Sequence, residues 1–324
     1  MDVKIGNDVI IEAKGLRRTY KARKTLVEAV RGVDLTVRAG EIVGFLGPNG
    51  AGKTTTLKML TTLLAPTDGS AIVAGSDLRA DSVGVRRKIG YVSQAGSTSS
   101  EARAGEEIVS HARLYGIEPA VSKKRAQDLL EALDLVDVWD RKCGSLSGGQ
   151  RRRLDIVMGL IHQPVLVFLD EPSTGLDPQS RANLWTHIRK LRDDLGTTVF
   201  LTTHYMDEAD SLSDRILIID QGQIVAEGTP AELKKRVSGD AITLILRSAA
   251  DAARAAGIAG ELAGADRPAV EANIVRLHVP EGGSALPVLL AGLVKHDIEA
   301  IGVEVNRPTL DDVFLTLTGR SLRD

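Results

Sequence analysis

The stretch GPNGAGKT at residues 47–54 limits the possible fold more than any other part of the sequence. It matches the pattern G-x-x-x-x-G-K-[ST], which binds phosphate where a buried strand precedes it and a helix follows it. Both are indicated, since an apolar run at 42–46 precedes the stretch and the helical pattern TTTLKMLTTLL follows its lysine. Gly47, Gly50 and Gly52 let the backbone curl so that its N–H groups surround phosphate oxygens. This phosphate loop, residues 47–54, therefore predicts a nucleotide-binding α/β fold.

Four side chains supply the chemistry that a nucleotide phosphate needs. Lys53 neutralises charge on the β- and γ-phosphates, and Thr54 offers a hydroxyl to Mg²⁺. The apolar run at 165–169 ends in Asp170 and Glu171. Asp170 can enter the magnesium shell, and Glu171 can act as the general base on the attacking water. Many strands end in acidic residues, so these carboxylates carry weight only together with the phosphate loop.

Short apolar runs alternate with helical patterns, which favours a mostly parallel sheet. A further buried strand is predicted at 198–201. Val33, Leu35 and Val37 alternate with polar residues, as in a half-buried antiparallel strand. The segment ILIIDQGQIVAEG is typical of a hairpin that turns at 221–222.

A helical insert is predicted between residues 101 and 143, among the sheet elements. Ser122 is the predicted N-cap of one helix, because Ala126, Leu129, Leu130 and Leu133 follow it at helical spacing.

The composition changes near residue 238, and residues 241–324 are rich in alanine and glycine. We expect a small α+β lobe there, with two helical runs and three strands. The strand-like runs lie at 242–246, 274–279 and 301–305.

Composition and charge exclude several classes of protein. The net charge of −2 gives no overall field that would attract nucleic acid or anionic lipid. Cys143 is the single cysteine, so no internal disulfide can form, which fits a reducing compartment. We expect no signal peptide, and the apolar run at 285–294 has half the length of a bilayer span. A role at a membrane would therefore require docking onto another protein.

A second glycine-rich segment, SLSGGQ at 145–150, opens a helical pattern but contains no lysine. A helix start binds anions through free N–H groups and a partial positive charge. With this segment, the sequence resembles the ATP-binding-cassette ATPases. The motifs follow in that family's order: Tyr20, GPNGAGKT, Gln94, LSGGQ, VLVFLDEP, TGLD and His204. The resemblance covers residues 9 to about 235, and the ordered set is far more specific than any single motif.

The resemblance implies an α/β P-loop NTPase fold with a mixed sheet, an antiparallel β subdomain and a helical subdomain at about 95–160. A small C-terminal α+β lobe follows. The implied domains are an ATP-binding domain at 1–238 and an accessory domain at 239–324.

It also implies ATP and Mg²⁺ as ligands, held by two chains paired head to tail. Each ATP would lie between the phosphate loop of one chain and the signature segment, residues 145–150, of the other. Tyr20 would stack on the adenine, unless it is a surface tyrosine at a strand end. The residues implied to contact the chain's own ATP are Tyr20, Gly47, Pro48, Asn49, Gly50, Ala51, Gly52, Lys53, Thr54 and Thr55. Those implied to contact the paired chain's ATP are Ser147, Gly148, Gly149, Gln150 and Asp177.

Two further positions take catalytic roles from the resemblance. Gln94 ends the run IGYVSQ and would sense magnesium and the attacking water, so it joins Thr54 and Asp170 as a magnesium residue. A plain surface glutamine is the alternative. His204 follows VFLTT and would contact the γ-phosphate and orient Glu171. The implied catalytic set is thus Glu171, His204 and Gln94.

Within the family, the sequence is most similar to the daunorubicin-resistance type of ATP-binding subunit, which pairs with a separate membrane permease. The segments that carry this are LSGGQRRRLDIVMGLIHQPVLVFLDEPSTGLDPQSRANLW, GQIVAEGTPAELK and the tail RPTLDDVFLTLTGR at 307–320. Thr309 and Asp312 in the tail predict a capping box that starts a helix. The apolar face predicted for this helix consists of Leu310, Val313, Phe314 and Leu317.

One segment departs from the pattern of this group, AGSTSSEARAGEE at 95–107. The group usually has an apolar-Thr-Gly pattern where the permease docks, but this chain has Ala102, Arg103, Ala104 and Gly105. Because of this departure, the sequence does not determine the identity of the permease or of the cargo. The ATP chemistry is not affected.

The function implied is the ATP-hydrolysing subunit of an exporter for a drug, antibiotic or lipid-like amphiphile. Its partners would be a membrane permease and a second copy of the chain, at the cytoplasmic face of the cell membrane. The alternative is a soluble cassette ATPase acting on nucleic acid or ribosomes. No nucleic-acid partner is expected, since the three arginines at 151–153 are typical of a solvated helix face or of an edge on the phosphate side.

Overall fold

A computed structural model describes residues 9–22, 25–237 and 239–319. The described chain divides between Pro230 and Ala231 into two compact units, the first unit and the second unit. The domain boundary predicted near residue 238 falls on a residue outside the described ranges. Within those ranges, every helix is too short or too polar to cross a bilayer.

The first unit contains two sheets and seven helices whose bounds are described. Its elements are β1 (Val9–Ala22), β2 (Thr25–Arg38), β3 (Ile42–Leu46), α1 (Lys53–Leu60), β4 (Asp68–Val73), β5 (Ser76–Asp77), α2 (Ser82–Lys88), β6 (Ile89–Val92), α3 (Ala104–Leu114), α4 (Pro119–Ala132), α5 (Gly148–Leu160), β7 (Leu166–Asp170), α6 (Pro178–Leu195), β8 (Thr198–Thr203), α7 (Met206–Leu212), β9 (Arg215–Asp220) and β10 (Gln223–Gly228). Helix α8 (Pro230–Lys234) begins at the division between the units.

The larger sheet has six strands in the order β10-β9-β3-β8-β7-β6. Five of them are parallel, and β10 pairs antiparallel with β9 through the predicted hairpin. Every residue of β3, β7 and β8 is buried, because apolar side chains on both faces pack into separate cores. On one face Phe45, Phe168 and Phe200 pack ring against ring, with centroids 5.5 and 5.6 Å apart. The three buried strands predicted from the sequence are confirmed, and so is the mixed α/β sheet.

The smaller sheet is antiparallel, in the order β2-β1-β4-β5. Val33, Leu35 and Val37 point from β2 into the core shared with β3 and α1, as their alternation predicts. The helical insert is also confirmed, as α3 and α4.

The N-cap predicted at Ser122 is wrong. Helix α4 starts earlier, at Pro119, because a proline at the first position fixes a helical φ and has no N–H to satisfy. Ser122 lies inside the helix and is buried, with its hydroxyl donating to Pro119 O (2.9 Å).

The second unit is a four-stranded antiparallel sheet in the order β12-β13-β11-β14 with its own core. Its elements are β11 (Asp240–Leu246), α9 (Ala249–Ala259), β12 (Ala269–Glu271), β13 (Ile274–Val279), α10 (Gly282–Lys295), β14 (Ala300–Asn306) and α11 (Leu310–Thr318). The three predicted strands are confirmed, whereas β12 was missed because its three residues are exposed and show no alternation.

Helix α11 begins with the predicted capping box. Thr309 accepts a hydrogen bond from the Asp312 N–H, and the Asp312 side chain accepts one from the Thr309 N–H. Leu310, Val313 and Phe314 are buried, but Leu317 is 40% exposed. The apolar face is therefore shorter than predicted.

A glycine at the start of α3 is required by close packing, which gives a test of the fold. A Cβ on Gly105 would lie 2.4 Å from Cε2 of the Trp139 ring. We expect Gly105→Ala to destabilise the first unit by about 1–3 kcal/mol, because the indole must move. Urea unfolding followed by tryptophan fluorescence measures the change.

Gly257→Ala in α9 is the matched control, because its new methyl group meets open space. This control lies in the second unit, so it should leave unchanged the unfolding midpoint reported by Trp139 and Trp185, which both lie in the first unit. An unchanged unfolding midpoint for Gly105→Ala would contradict the packing described here.

Candidate nucleotide site

A cleft of about 370 Å³ opens at the carboxyl ends of the central parallel strands of the first unit. Strands β6, β7, β8 and β3 are neighbours, so the residues that follow them meet at one edge of the sheet. The cleft is lined by Ala29, Asn49, Gly50, Gly52, Lys53, Thr54, Thr55, Gln94 and Glu171. Six of these nine residues are predicted to contact ATP, and two more, Gln94 and Glu171, are predicted catalytic residues.

Two glycines of the phosphate loop are fixed by sterics. A Cβ on Gly47 would lie 2.2 Å from the Ile219 carbonyl oxygen, so the loop passes too close to β9 for a side chain. Gly52 has φ 105°, a conformation open to glycine, and its Cβ would also meet Ala29 O at 2.6 Å. Gly52 is the N-cap of α1, so the loop delivers the free N–H groups of a helix start to the cleft.

Lys53 reaches into the cleft from the first turn of α1 and is only 4% exposed. Its Nζ donates to Gly47 O (2.8 Å) and Pro48 O (3.0 Å), and lies 3.4 Å from Glu171 Oε1. Burial lowers the pKa of Lys53, and the Glu171 charge opposes this effect. The ammonium group therefore has three oxygen partners and lies next to the predicted base.

Glu171 is the residue at which the predicted catalytic groups meet. Its Oε2 accepts hydrogen bonds from Gln94 Nε2 (2.9 Å) and Thr174 Oγ1 (3.2 Å), and lies 3.3 Å from His204 Nδ1. Its backbone has φ +46°, which is strained for a residue with a side chain. Such strain persists only where the surroundings over-determine the conformation, as these contacts do.

Asp170 and Thr54 form an oxygen pair beside Glu171. Asp170 Oδ1 accepts from Thr54 Oγ1 (3.0 Å) and from Thr202 Oγ1 (2.7 Å). A hydroxyl and a carboxylate suit a hard cation such as Mg²⁺, which usually takes its remaining ligands from phosphate and water. Among the described residues there is no cluster of three or more His, Cys, Asp or Glu that would hold a metal alone. The donor set therefore fits a cation that binds together with a phosphate.

The signature segment starts α5, as predicted. Ser147 accepts from the Gln150 N–H (3.2 Å), and the Gln150 side chain accepts from the Ser147 N–H (3.1 Å). This capping box leaves Gly148 and Gly149 at a helix start without side chains to cover it. Asp177 caps α6 by accepting from the Ser180 N–H (2.9 Å).

Several predicted residues lie outside the cleft. Of the lining residues, all described, none belongs to the signature segment, and Asp177 and Tyr20 are also missing from the lining. Tyr20 is 38% exposed at the end of β1, with the Arg18 guanidinium 4.8 Å from its ring centroid. The chain's own fold thus keeps the two glycine-rich segments apart.

Of the two predictions for the arginine run at 151–153, a solvated helix face or an edge on the phosphate side, the solvated face is wrong for Arg152. Arg152 is 7% exposed, and its guanidinium donates to Ser93 O (2.6 Å), Pro172 O (2.8 Å) and Asp170 O (2.9 Å). Burial lowers the pKa of Arg152, opposed by nearby carboxylates. The sequence did not predict the role of Arg152, because its partners are backbone carbonyl oxygens and no pattern of side chains indicates such contacts.

The segment at 95–107 that departs from the family pattern is anchored to α5. Asp155 Oδ1 accepts from the Ser97 N–H (3.0 Å), and a Cβ on Gly96 would lie 2.9 Å from Asp155 Oδ2. Burial raises the pKa of Asp155. Farther along, Cys143 N–H donates to Ala102 O (2.9 Å). The segment is therefore built onto the same helix that carries the signature.

Comparison with known proteins places these features in a family. Residues 30–174 match the ABC transporter family, and residues 228–318 match the C-terminal domain of DrrA1-3-like ATP-binding proteins. The daunorubicin/doxorubicin resistance ATP-binding protein DrrA of Streptomyces peucetius is 41% identical, over 97% of this chain and 94% of the relative. The doxorubicin resistance ATP-binding protein DrrA of Mycobacterium tuberculosis is 39% identical, over 96% of this chain and 94% of the relative.

A solved structure shares the fold of the first unit. It is a dimeric structure of a post-hydrolysis state of the ATP-binding cassette MJ0796 bound to ADP and Pi. The TM-score is 0.62 at 27% identity, over 68% of this chain and 98% of the other. The resemblance inferred from the motif order is confirmed, because the sequence identity of 39% and 41% to the two DrrA relatives extends over nearly the whole chain. The chain belongs to the ATP-hydrolysing, ATP-binding proteins of the ABC transporter family, and it carries the C-terminal domain of the DrrA type.

Proposed function

We propose that the chain drives export of a drug, antibiotic or lipid-like amphiphile through a separate membrane permease. It would work at the cytoplasmic face of the membrane, as two copies paired head to tail. The names of the relatives support this, since both confer resistance to doxorubicin or daunorubicin. The dimeric neighbour supports pairing of cassettes.

The observation that carries the proposal is the set of groups around the Glu171 carboxylate. A water bound between Glu171 and a phosphate in the cleft would lose its proton to this carboxylate as it attacks. Gln94 and His204 contact the same oxygen, Oε2, and would hold the carboxylate in the orientation that the attack requires. Lys53 Nζ would exchange its carbonyl partners and Glu171 for phosphate oxygens, which frees the base as the substrate is bound.

Mg²⁺ would be held by the hydroxyl of Thr54 and the carboxylate of Asp170, with Gln94 close by. The ion would neutralise charge on the phosphates. Thr202 donates to the same Asp170 oxygen and thereby keeps the carboxylate turned toward Thr54.

The signature segment would act on the ATP of the paired chain. Its helix start presents free N–H groups and a partial positive charge, and Gly148 and Gly149 allow a phosphate to approach closely. Because this segment is absent from the lining of the chain's own cleft, a second copy is the natural source of it. Each site would then take Lys53 from one chain and Ser147 from the other.

The first test of the proposal concerns the base. We expect Glu171→Gln to lower ATP turnover about 100-fold or more, because the amide cannot accept the water proton. ATP should still bind, so an ATP-dependent dimer should accumulate, measured by size-exclusion chromatography with light scattering. Lys53→Ala is the control and should lose both turnover and the ATP-dependent dimer. Turnover at the wild-type rate in Glu171→Gln would exclude Glu171 as the base.

The second test asks whether the sites are shared between chains. Lys53→Ala and Ser147→Arg should each be inactive alone. Mixed in equal amounts, they should recover about a quarter of the wild-type rate, because half of the dimers are mixed and each of these has one intact site. Lys53→Ala mixed with Glu171→Gln is the matched control. Both changes then affect the phosphate-loop side, so no site is restored. Equal recovery in the two mixtures would contradict shared sites.

The third test identifies the partner. Tagged chain purified from native membranes with ATP should bring down an integral-membrane protein with several apolar spans of about 20 residues. That protein is the one on which to screen export of daunorubicin-like amphiphiles. Recovery of ribosomes or nucleic acid from the soluble fraction would overturn export and leave the ATP site unchanged.

A further inference from the structure

A buried carboxyl lies close to the nucleotide site but outside it. Glu208 is on α7 and has no exposed surface. Its Oε1 accepts a hydrogen bond from the indole Nε1 of Trp185 (3.1 Å). The hydroxyl groups of Thr203 and Ser173 face the same carboxyl. Burying an ionisable group is costly unless it is satisfied or has a role that retains it.

The groups around Glu208 belong to three segments that bear on the reaction. Thr203 directly precedes His204, and its hydroxyl also accepts from the Tyr205 N–H (2.9 Å). Ser173 comes two residues after Glu171. The indole belongs to α6, the helix that Asp177 caps. One carboxyl therefore joins the end of β8, the segment after β7, and α6.

A second set of contacts joins α6 to the segment after His204. The Arg181 guanidinium lies 5.0 Å from the Tyr205 ring centroid and 3.6 Å from Asp207 Oδ2. The rings of His204 and Tyr205 are 4.1 Å apart. Residues on both sides of His204 are thus connected to α6: Thr203 through Glu208 and Trp185, and Tyr205 through Arg181. Of these two connections, only the one through Glu208 is buried.

The hydrogen bonding of Glu208 is incomplete. Among the described residues, neither Glu208 Oε2 nor Ser173 Oγ has a partner with full hydrogen-bond geometry, although both are buried. Burial raises the pKa of Glu208, and this exceeds the opposing effect of the hydroxyl and indole donors. The charge of Glu208 also raises the pKa of Arg152 and so opposes the effect of burial on that residue. Arg152 in turn donates to the carbonyl oxygens of Asp170 and Pro172.

We propose that Glu208 is a positioning residue for ATP hydrolysis. By binding α6 to the segments on either side of the cleft, it sets the distance between His204 and Glu171. The inference rests on the proposed roles of those two residues. It predicts that loss of the carboxyl changes the rate of the chemical step and leaves ATP binding intact.

Three variants of the full-length chain test this. Glu208→Ala should lower kcat about tenfold or more with KM for ATP within about twofold, as expected when catalytic groups are displaced and not removed. Glu208→Gln keeps an acceptor for Trp185 and a donor for the hydroxyls, so it should stay within about threefold of wild-type kcat. Leu212→Ala, on the same helix, opens an apolar cavity and removes no hydrogen-bonding group. It serves as the control for lost stability alone.

A fourth variant covers the case in which Glu208→Ala does not fold. Trp185→Phe keeps a ring in place and removes only the N–H donor, and it should lower kcat severalfold with KM unchanged. Where Glu208→Ala folds, combining it with Trp185→Phe should have less than the multiplied effect of the two single changes, because both break the same contact.

The outcomes separate this inference from the proposed function. Equal loss of kcat in Glu208→Ala and in Leu212→Ala at matched thermal stability would overturn it. So would full activity in Trp185→Phe, or no rescue by Glu208→Gln. In each of these cases an inactive Glu171→Gln would leave the proposed base standing. Wild-type turnover in Glu171→Gln would instead remove the catalytic assignment on which the inference depends.

Discussion

The guanidinium of Arg152 joins the two halves of the nucleotide machinery within one chain. It extends from the first turns of α5, whose start is the signature segment, and donates to carbonyl oxygens before Gln94 and on both sides of Glu171. Displacing α5 must break these three charge-assisted bonds or carry the catalytic segments with it. A buried cation without its acceptors would be costly, so we expect α5 and the catalytic segments to move together. Whatever moves the signature segment therefore acts on the cleft of its own chain.

A similar constraint operates on the opposite side of the cleft through α6. Its first residue follows Asp177, which we propose contacts the paired chain's ATP, and its third turn holds Glu208 through Trp185. Arg152 and Glu208 are both buried, and both act on the segment after Glu171, one through Pro172 O and the other beside Ser173. The segment after Glu171, whose φ is strained, is thus bound by Arg152 of α5 and lies beside Glu208, which Trp185 joins to α6; α5 and α6 both begin at predicted dimer contacts. In the proposed dimer, the catalytic geometry of one site would in this way be tied to the contacts made at the other.

The local sequence was sufficient to predict features whose contacting residues are close together along the chain. The phosphate loop, the helix start at the signature segment, the turn at Gln221 and the capping box of Thr309 all depend on residues within a few positions, and all were predicted. The meeting of Gln94 and His204 at Glu171 came from the family resemblance, since nothing in the spacing of the three reveals the strand order that joins them. Arg152 and Glu208 were missed because their partners are distant carbonyls, hydroxyls and an indole. Residues of these kinds occur on many helices, so only the fold shows that they are buried.

The segment at 95–107 shows how a chain of this family can change partner and keep its chemistry. It begins next to Gln94, and its first contact with α5, the Ser97 N–H to Asp155, lies beside Arg152 on the same helix. Its farther end is fixed by the packing of Trp139 on Gly105 and by the hydrogen bond from Arg103 Nη1 to Asp140 O (2.7 Å). Side chains between these two anchors are free to vary with a docking partner, because neither anchor depends on them. In the proposed complex these anchors would connect a docked permease to Gln94, and they consist of backbone groups, the buried Asp155 carboxylate, the Arg103 guanidinium and the packing of Trp139 on Gly105. In that complex, cargo specificity would be free to change in the permease and in the side chains between the anchors while the cleft is preserved.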